Sequence, residues 1–359
     1  MSLTEFHPHQ LCIAGYSNSG KTTLLESLFK HFSSSDYKVG YTKHDIHQLN
    51  LDKEGKDTDK IWKAGAQSIY AHNADNQFHR TRKQPSFQQH YFNDCDFVLI
   101  EGHKQSPFPK IIFLNEDESV WEEINEEAKA STIALIGVHD KLSLSSTLPY
   151  FQRDQLDSIA SFILNHFKSH TQQTELLGVV MSGGHSTRMG QDKNFLTYKE
   201  TPQVEVAYHS LKKVCDSVVV SCRADQDISL PTLNDTFLNQ GPLGGLLSTF
   251  QAYPNHALLV IACDLPRLTE ATLKNLISKR NPFRKATVFE HPESKQLEPL
   301  CTIYEPSIRP ILFEALAHGM RSPKRILEQS HIQVISLSDT NALTNSNTME
   351  DFQSIQSSL

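Results

Sequence analysis

The sequence has no Cys-x-x-Cys pair, although it holds six cysteines, at 12, 95, 215, 222, 263 and 301. Most of them lie inside apolar runs, so the expectation is buried thiols in a reducing compartment rather than a disulfide framework or a structural zinc site. There is no excess of positive charge either. Lys and Arg number 34 against 41 Asp and Glu, a formal net charge of −7. That balance argues against a general nucleic-acid binder, which needs a basic face; local basic pockets stay compatible with it. No apolar run approaches a membrane span, and the opening MSLTEFHPHQ lacks the apolar core of a signal peptide. These absences lead to the expectation of a soluble, cytoplasmic protein. No internal repeat is visible. What is present is 359 residues, 38% hydrophobic and 21% charged, enough for a packed core in two or three domains.

Short apolar runs alternate with helical patterns along the whole chain, the signature of α/β architecture. In the first half the strand-like runs are LCIAG (11–15), VGYT (39–42), FVLIEG (97–102), KIIFL (110–114) and TIALIGV (132–138). QLDSIASFILNHF (155–167) has apolar residues at helical spacing. The stretch KSHTQQTE (168–175) is polar and without period, and the domain boundary is placed there, giving domains at 1–170 and 171–359. The second half restarts with LLGVVM (176–181) and continues through SVVVSC (217–222), ALLVIACD (257–264), ATVF (286–289) and VISL (334–337). Each half therefore opens with a strand, a phosphate-type loop and a helix.

The first loop, Gly15-Tyr-Ser-Asn-Ser19-Gly20-Lys21-Thr22, fits G-x-x-x-x-G-K-[ST] between an apolar strand and KTTLLESLFKHF. Its glycines let backbone amides curl around a phosphate. Lys21 is expected to reach the β- and γ-phosphates, and the Thr22 hydroxyl to bind Mg²⁺. The helix N-terminus adds its dipole. Glu101 ends an apolar strand, where a carboxylate can hold Mg²⁺ through water or position an attacking water; the alternative is an ion pair with Lys104. Lys43, His44, Asp45 and His47 cluster in TKHDIH, but a transition-metal site needs more ligands at fixed geometry, and a solvated loop near the phosphates is the favoured reading. DKEGKDTDK (52–60) is a solvated turn or a loop on the nucleotide side.

GYSNSGKTTLLESL, VGYTKHDIH, DKEGKDTDKIWKAGA and VLIEGHK together resemble the molybdopterin-guanine dinucleotide biosynthesis adaptor family, MobB, over roughly residues 8–168. The resemblance implies a P-loop GTP-binding domain that assists a guanylyltransferase. The family motif falls on Gly15, Gly20, Lys21, Thr22 and Thr23, and on Glu101-Gly102; Ser19 belongs to the same loop. No N-K-x-D guanine motif is present. GVHDK (137–141) puts Asp140 near the corresponding place, and base preference in this half stays open.

The second loop is of another kind. In LLGVVMSGGHSTRMGQDK (176–193), Gly183 and Gly184 remove Cβ atoms where a triphosphate must lie along the backbone. Arg188 and Lys193 supply a guanidinium fork and a point charge for the α-phosphate and the departing pyrophosphate. ALLVIACDLP (257–266) ends an apolar strand in Asp264. Ligands of open α/β sheets bind beyond the carboxyl ends of strands, and a carboxylate there can hold Mg²⁺. An N-cap role for Asp264 is less favoured, because Thr269 is the better cap for the next helix. GPLGGLLSTF (241–250) opens a helix with three glycines, which suits close approach of a ligand.

From about residue 176 to the end, the chain is similar to the molybdenum cofactor guanylyltransferase family, MobA, whose fold is a Rossmann-like nucleotidyltransferase sheet. Ser182 stands where the family usually has alanine. By this resemblance GTP binds at Met181, Gly183, Gly184, Arg188, Lys193, Asp235, Gly241 and Asp264. Arg188, Lys193 and Asp264 are the catalytic set, with Asp264 carrying the metal. Asp235 is assigned to guanine N1–H and the exocyclic amine; a turn aspartate is the competing reading. Asn345 and Asn347 fall on the molybdopterin side, with a capping loop equally open. The family has an asparagine after the second strand, and here Cys222-Arg223 stand instead.

The two resemblances together imply a fused enzyme. It transfers GMP from GTP to Mo-molybdopterin, with Mg²⁺, and its N-terminal domain leaves a weak GTPase activity open. Implied partners are molybdenum insertion proteins and apo-molybdoenzymes or their chaperones, with no nucleic acid and no membrane; the resemblance allows a homodimer through the N-terminal domain. The alternatives are a cytidylyl or sugar-phosphate nucleotidyltransferase, or a GTP-dependent scaffold for cofactor delivery.

Overall fold

A computed structural model of the chain describes residues 7–17, 19–43, 60–61, 63–65, 68–72, 77–81, 92–140, 142, 144, 146–172, 174–183, 197–198 and 201–344. His44, Asp45, His47, Gly184, Arg188, Lys193, Asn345 and Asn347 lie outside them. Cα proximity divides the chain into two units, Met1–Phe162 and Ile163–Leu359.

The first unit is built on β1 (Gln10–Gly15), β2 (Val39–Lys43), β5 (Phe97–Glu101), β6 (Lys110–Phe113), β7 (Thr132–Gly137) and β8 (Tyr150–Gln152). β3 (Ser68–His72) and β4 (Gln77–Thr81) form a separate antiparallel hairpin pair. The main sheet has the order β2-β5-β1-β6-β7-β8 and is parallel at every pairing. Parallel strands covered on both faces need unbroken apolar runs. Accordingly β5 and β6 are buried at every position. α1 (Lys21–Ser34) buries Leu24, Leu25, Leu28 and Phe32, one stripe of a 3.6-residue period. Phe32 meets Phe97 edge-on, ring centroids 5.0 Å apart. Two short helices follow β6, α2 (Val120–Glu123) and α3 (Glu126–Ala130). α4 (Leu156–Gln172) runs on past the periodic segment, so the polar residues 168–172 are helical. Loss of apolar period is not itself a stop signal, and that stretch contains neither glycine nor proline.

The second unit begins with β9 (Leu176–Met181), followed by the short antiparallel pair β10 (Thr197–Tyr198) and β11 (Thr201–Pro202). Its other strands are β12 (Ser217–Cys222), β13 (Thr232–Asn234), β14 (Ala257–Ala262), β15 (Ala286–Glu290), β16 (Leu297–Tyr304) and β17 (Gln333–Ser336), in the sheet order β13-β12-β9-β14-β16-β15-β17. The block β13-β12-β9-β14 is parallel, and β16 runs antiparallel to both β14 and β15. The helices are α5 (Gln203–Lys212), α6 (Pro242–Ala252), α7 (Glu270–Ser278), α8 (Arg309–Ala317) and α9 (Pro323–Glu328).

Alternation along the strands sorts these helices onto two faces. Val180, Val218 and Val220 pack with Val204 and Leu211 of α5 and Leu273 and Leu276 of α7. Leu177, Val179 and Val219 pack with Leu243, Leu246 and Phe250 of α6, Leu312 of α8 and Ile326 of α9. Thr269 caps α7, accepting from the Thr272 amide at 3.2 Å, as its sequence position suggested. β16 escaped the sequence reading. It carries Pro299, which cannot donate to a ladder, and the β15–β16 register shifts between Val288 and Glu290.

Of the cysteines, Cys12, Cys215, Cys222, Cys263 and Cys301 are buried, Cys95 is half-buried, and all six are free thiols. Burial pushes the Cys12 thiol up to about 11 and Cys215 up to about 12. Among the described residues, no helix is long and apolar enough to cross a membrane.

Candidate functional sites at the two strand–loop–helix turns

In the first unit, β1 ends at Gly15, where the chain must pass over β6. A Cβ at this position would stand 2.7 Å from the Phe113 carbonyl oxygen, so only glycine fits. The loop closes at Gly20, left-handed at φ 93°, which caps α1 without a side-chain hydrogen bond. The first amides of α1 thus have no side-chain acceptor at the cap. Lys21 is buried, and its Nζ donates back to the Tyr16 carbonyl and to Ser19 Oγ, the latter at 3.2 Å. Burial lowers its pKa, and the nearby Glu101 charge only partly offsets this. Thr22 and Thr23 are exposed on the first turn.

Glu101 is the hub on the other side of β1. Its carboxylate accepts from Thr22 Oγ1 at 3.0 Å and from Tyr41 OH at 2.8 Å, and pairs with Lys43 Nζ at 3.0 Å. Lys43 lies opposite Glu101 in the β2–β5 register, and Tyr41 lies two residues earlier on the same side of β2. Burial alone would raise the Glu101 pKa; the donors Tyr41, Lys43 and Thr22 outweigh it, and the net shift is downward. The alternative partner, Lys104, instead meets Glu123 at 3.0 Å. Sequence reasoning named Lys43 but not this role, and missed Tyr41. The signal was available in strand alternation once β2 and β5 are neighbours. Asp140, at the end of β7, is exposed and accepts from Gln152 Nε2 at the end of β8.

In the second unit the carboxyl edge of the parallel block collects most of the described candidates. β9 ends at Met181, level with Ser221 of β12 and Ala262 of β14. Asp264 follows β14 by two residues, and the Cys263 amide donates to the Met181 carbonyl at 3.3 Å. Strand order reverses here: the chain leaves β9 for β12 and β13 on one side, then returns to β14 on the other. Such a reversal opens the crevice in which open α/β sheets bind ligands.

Asp235 follows β13 and turns back over the end of β9. Its Oδ2 lies 2.8 Å from where a Cβ on Gly183 would stand, so a side chain at 183 would displace the Asp235 carboxylate. Ser221 Oγ donates to Asp235 Oδ1 at 2.6 Å, and the Asp235 amide donates to the Cys222 carbonyl at 2.8 Å. Burial raises the Asp235 pKa, with Ser221 and Arg223 pulling it partly back. Arg223 Nη1 reaches the Gly183 carbonyl at 3.4 Å, while the Cys222 thiol is buried beside Asn234 Oδ1 at 3.7 Å.

The glycines of α6 divide into two kinds. Gly241 has φ +58° and nothing within 4 Å of its Cβ position. Gly244 and Gly245 are needed for packing rather than for ligand approach: a Cβ on Gly244 would stand 2.3 Å from the Phe237 carbonyl oxygen, and one on Gly245 2.4 Å from Met181 Cε and 2.6 Å from Ser221 Oγ. That corrects the expectation that all three glycines admit a ligand.

Comparison with known proteins divides the chain in the same two parts. The family model described as "Molybdopterin guanine dinucleotide synthesis protein B" matches residues 10–138. That described as "MobA-like NTP transferase domain" matches residues 178–334. The chain is 33% identical over 193 residues to the "Molybdenum cofactor biosynthesis bifunctional protein" of Synechocystis sp., covering 52% of this chain and 56% of that one. The chain therefore matches little more than half the length of that relative. It is 31% identical over 189 residues to a "Probable molybdenum cofactor guanylyltransferase" of Nostoc sp., covering 50% of this chain and 90% of that protein. It is 33% identical over 167 residues to the "Molybdopterin-guanine dinucleotide biosynthesis adapter protein" of Haemophilus influenzae, covering 44% and 90%. A glycine-bared strand end with Asp235 and Asp264 on one sheet edge, and a phosphate loop tied to Glu101 on another, thus accompany two family matches: the chain belongs to the MobB family through its N-terminal half and to the MobA-like NTP transferase family through its C-terminal half.

Proposed function

We propose that residues 171–359 catalyse transfer of GMP from GTP to the terminal phosphate of Mo-molybdopterin, and that residues 1–170 form a GTP-binding adaptor domain. The observation that carries this reading is the Asp235 carboxylate, held by Ser221 over Gly183 on the sheet edge that also bears Asp264. A fixed carboxylate there can accept from guanine N1–H and the exocyclic amine together. Adenine offers no such pair of donors.

The acceptor phosphate oxygen forms a bond to the α-phosphorus as the bond to the β-phosphate oxygen breaks, and pyrophosphate leaves. Placement and charge neutralisation suffice for such a transfer, with little need for a protein base. Met181, Gly183, Gly184 and Gly241 let the nucleotide lie along the backbone, and Arg188 and Lys193 neutralise charge on the α-phosphate and pyrophosphate. Asn345 and Asn347 serve the pterin side. The donor set suits Mg²⁺: Asp264 in one unit, and Thr22 with Glu101 in the other, are hard oxygen donors. Among the described residues, no cluster of three or more His, Cys, Asp and Glu is available for a softer metal. When bound, Mg²⁺ supplies positive charge to phosphate oxygens.

In the adaptor domain Ser19, Gly20, Lys21, Thr22 and Thr23 hold the phosphates. The cytoplasm, molybdenum insertion proteins and apo-molybdoenzymes or their chaperones complete the reading, with homodimerisation through this domain. The test is release of labelled pyrophosphate from GTP with Mo-molybdopterin, with CTP and sugar phosphates as competitors. Asp264→Asn is expected to fold and to lose most turnover; near wild-type turnover in that variant, or preference for CTP or a sugar phosphate, overturns the assignment.

A further inference from the structure

We propose that Arg153 contacts the phosphates of the nucleotide bound at the Gly15–Thr22 loop, as a second fixed cation beside Lys21. The proposal rests on the nucleotide-binding role of that loop and adds a residue that no phosphate-loop motif contains.

Arg153 lies in the turn between β8 and α4, three strands from β1 in the sheet order. Its side chain reaches back toward the loop. The guanidinium carbon sits 5.4 Å from the centroid of the Phe113 ring, and Nη2 donates to the Leu114 carbonyl at 3.0 Å. Phe113 is the same residue against which Gly15 is pressed, its backbone and Cβ facing the first glycine of the loop and its ring facing the arginine. Arg153 Nη1 lies 3.8 Å from the Cβ position of Gly20, the residue that caps α1. Arg153 Nε is buried and has no acceptor among the described residues.

Each part of this arrangement suits an anion. A stacked guanidinium with one hydrogen bond spent on Leu114 is fixed in orientation while its remaining N–H groups stay available. Nη2 is spent on Leu114 while Nη1 is the donor nearest Gly20, so a phosphate oxygen at the loop meets Nη1; the unsatisfied Nε shows that the protein does not neutralise this guanidinium fully by itself. The position is also complementary to the rest of the site. Glu101 on β5 and Lys43 on β2 lie on one side of β1, whereas Arg153 approaches from the β6 side. A phosphate chain on the loop would then be held from both sides. An arginine suits this better than a lysine, because its planar fork keeps two contacts in register. A helix-capping or packing role alone would leave no reason for the charge beside Gly20.

The test is titration of the full chain with GTP and Mg²⁺ by calorimetry, using Lys21→Ala to identify which binding step belongs to this loop. Arg153→Ala is expected to weaken the Lys21-dependent step at least tenfold and to leave the other step unchanged. Arg153→Lys is expected to fall between Arg153→Ala and wild type. A second measurement needs no variant at Arg153: phenylglyoxal modification of this residue, read by peptide mass spectrometry, should slow with GTP in the wild type and not in Lys21→Ala. Wild-type affinity in Arg153→Ala, or modification indifferent to GTP while Lys21→Ala loses its step, overturns the role of Arg153 alone. Full retention of both steps in Lys21→Ala refutes nucleotide binding at the loop, and the proposal with it.

Discussion

Gly183→Ala separates the fold of the C-terminal unit from its base selectivity. The new methyl carbon would stand 2.8 Å from Asp235 Oδ2, against an ordinary contact of at least 3.4 Å. The carboxylate must retreat by about 0.6 Å, since real Cβ atoms do not sustain the closer approach. Gly183 is not in the left-handed region, so alanine adds no backbone strain. The yielding group is the end of a side chain, so the melting temperature should move by no more than a few degrees. Function should suffer more. Asp235 is pinned by Ser221 Oγ at 2.6 Å and by its own amide, so moving it should disturb both contacts proposed for guanine. A hydrogen bond to a charged group is worth about 1.5–3 kcal/mol, and a 1 Å misplacement costs on the order of 10²-fold. The kcat/KM for GTP should therefore fall roughly 10- to 100-fold. Inosine triphosphate, which lacks the exocyclic amine, makes one of the two contacts and should lose less. Pyrophosphate release measured with both nucleotides, beside a thermal melt, reads the effect as a narrowed GTP-to-ITP ratio. An unchanged ratio would refute the guanine-reading role of Asp235.

Two other outcomes follow from buried charge. Glu305→Gln breaks a bidentate pair with Arg280, at 2.7 and 2.8 Å, whose side chains are only 3% and 15% exposed. Removing one partner of a buried pair costs about 3–5 kcal/mol; the amide keeps one acceptor, so the lower end applies, and the melting temperature should drop by roughly 6–12 °C. A calorimetric midpoint within 2 °C of wild type (a bound of about 1 kcal/mol) contradicts it. Asp235→Asn should do the opposite at neutral pH. The folded pKa of Asp235 is raised by burial above its unfolded value, so only between those two values does the native state keep a proton that the unfolded chain has released; above both, the folded state carries the cost of the buried charge. Stability is then lost as pH rises through that window, and the amide removes the loss. The same raised pKa makes the wild-type GTP-to-ITP ratio collapse on acidification at a higher pH than for an exposed aspartate. A variant that melts lower than wild type at neutral pH, or a pH-independent ratio, counts against this account.

Much of this organisation is legible in the sequence for a simple reason. β1, β5, β9 and β14 are central parallel strands, and burial on both faces demands apolar runs that stand out from their surroundings. The loops after β1 and β9 are legible through their glycines: Gly15 is forced by the Phe113 backbone, and Gly183 leaves room for the Asp235 carboxylate. What escapes is whatever depends on lateral neighbours. The Glu101 partner is Lys43 rather than Lys104 because β2 pairs with β5, and nothing local to residues 97–104 encodes that pairing. β16 escapes because Pro299 and the register shift interrupt its alternation. Arg153 escapes because its meaning comes from Phe113 and Gly20, which lie far away along the chain.

The tight seat of α6 has a consequence for how base preference can drift. A Cβ on Gly245 would run into Ser221 Oγ, and Ser221 anchors Asp235. A side chain added at Gly245 would push the hydroxyl, and the hydroxyl would push the carboxylate. The purine selectivity proposed for Asp235 would thus depend on the seat of α6. Substitutions at Gly245 should register in substrate choice as strongly as changes in the crevice itself, and a search for altered nucleotide usage confined to lining residues would overlook them.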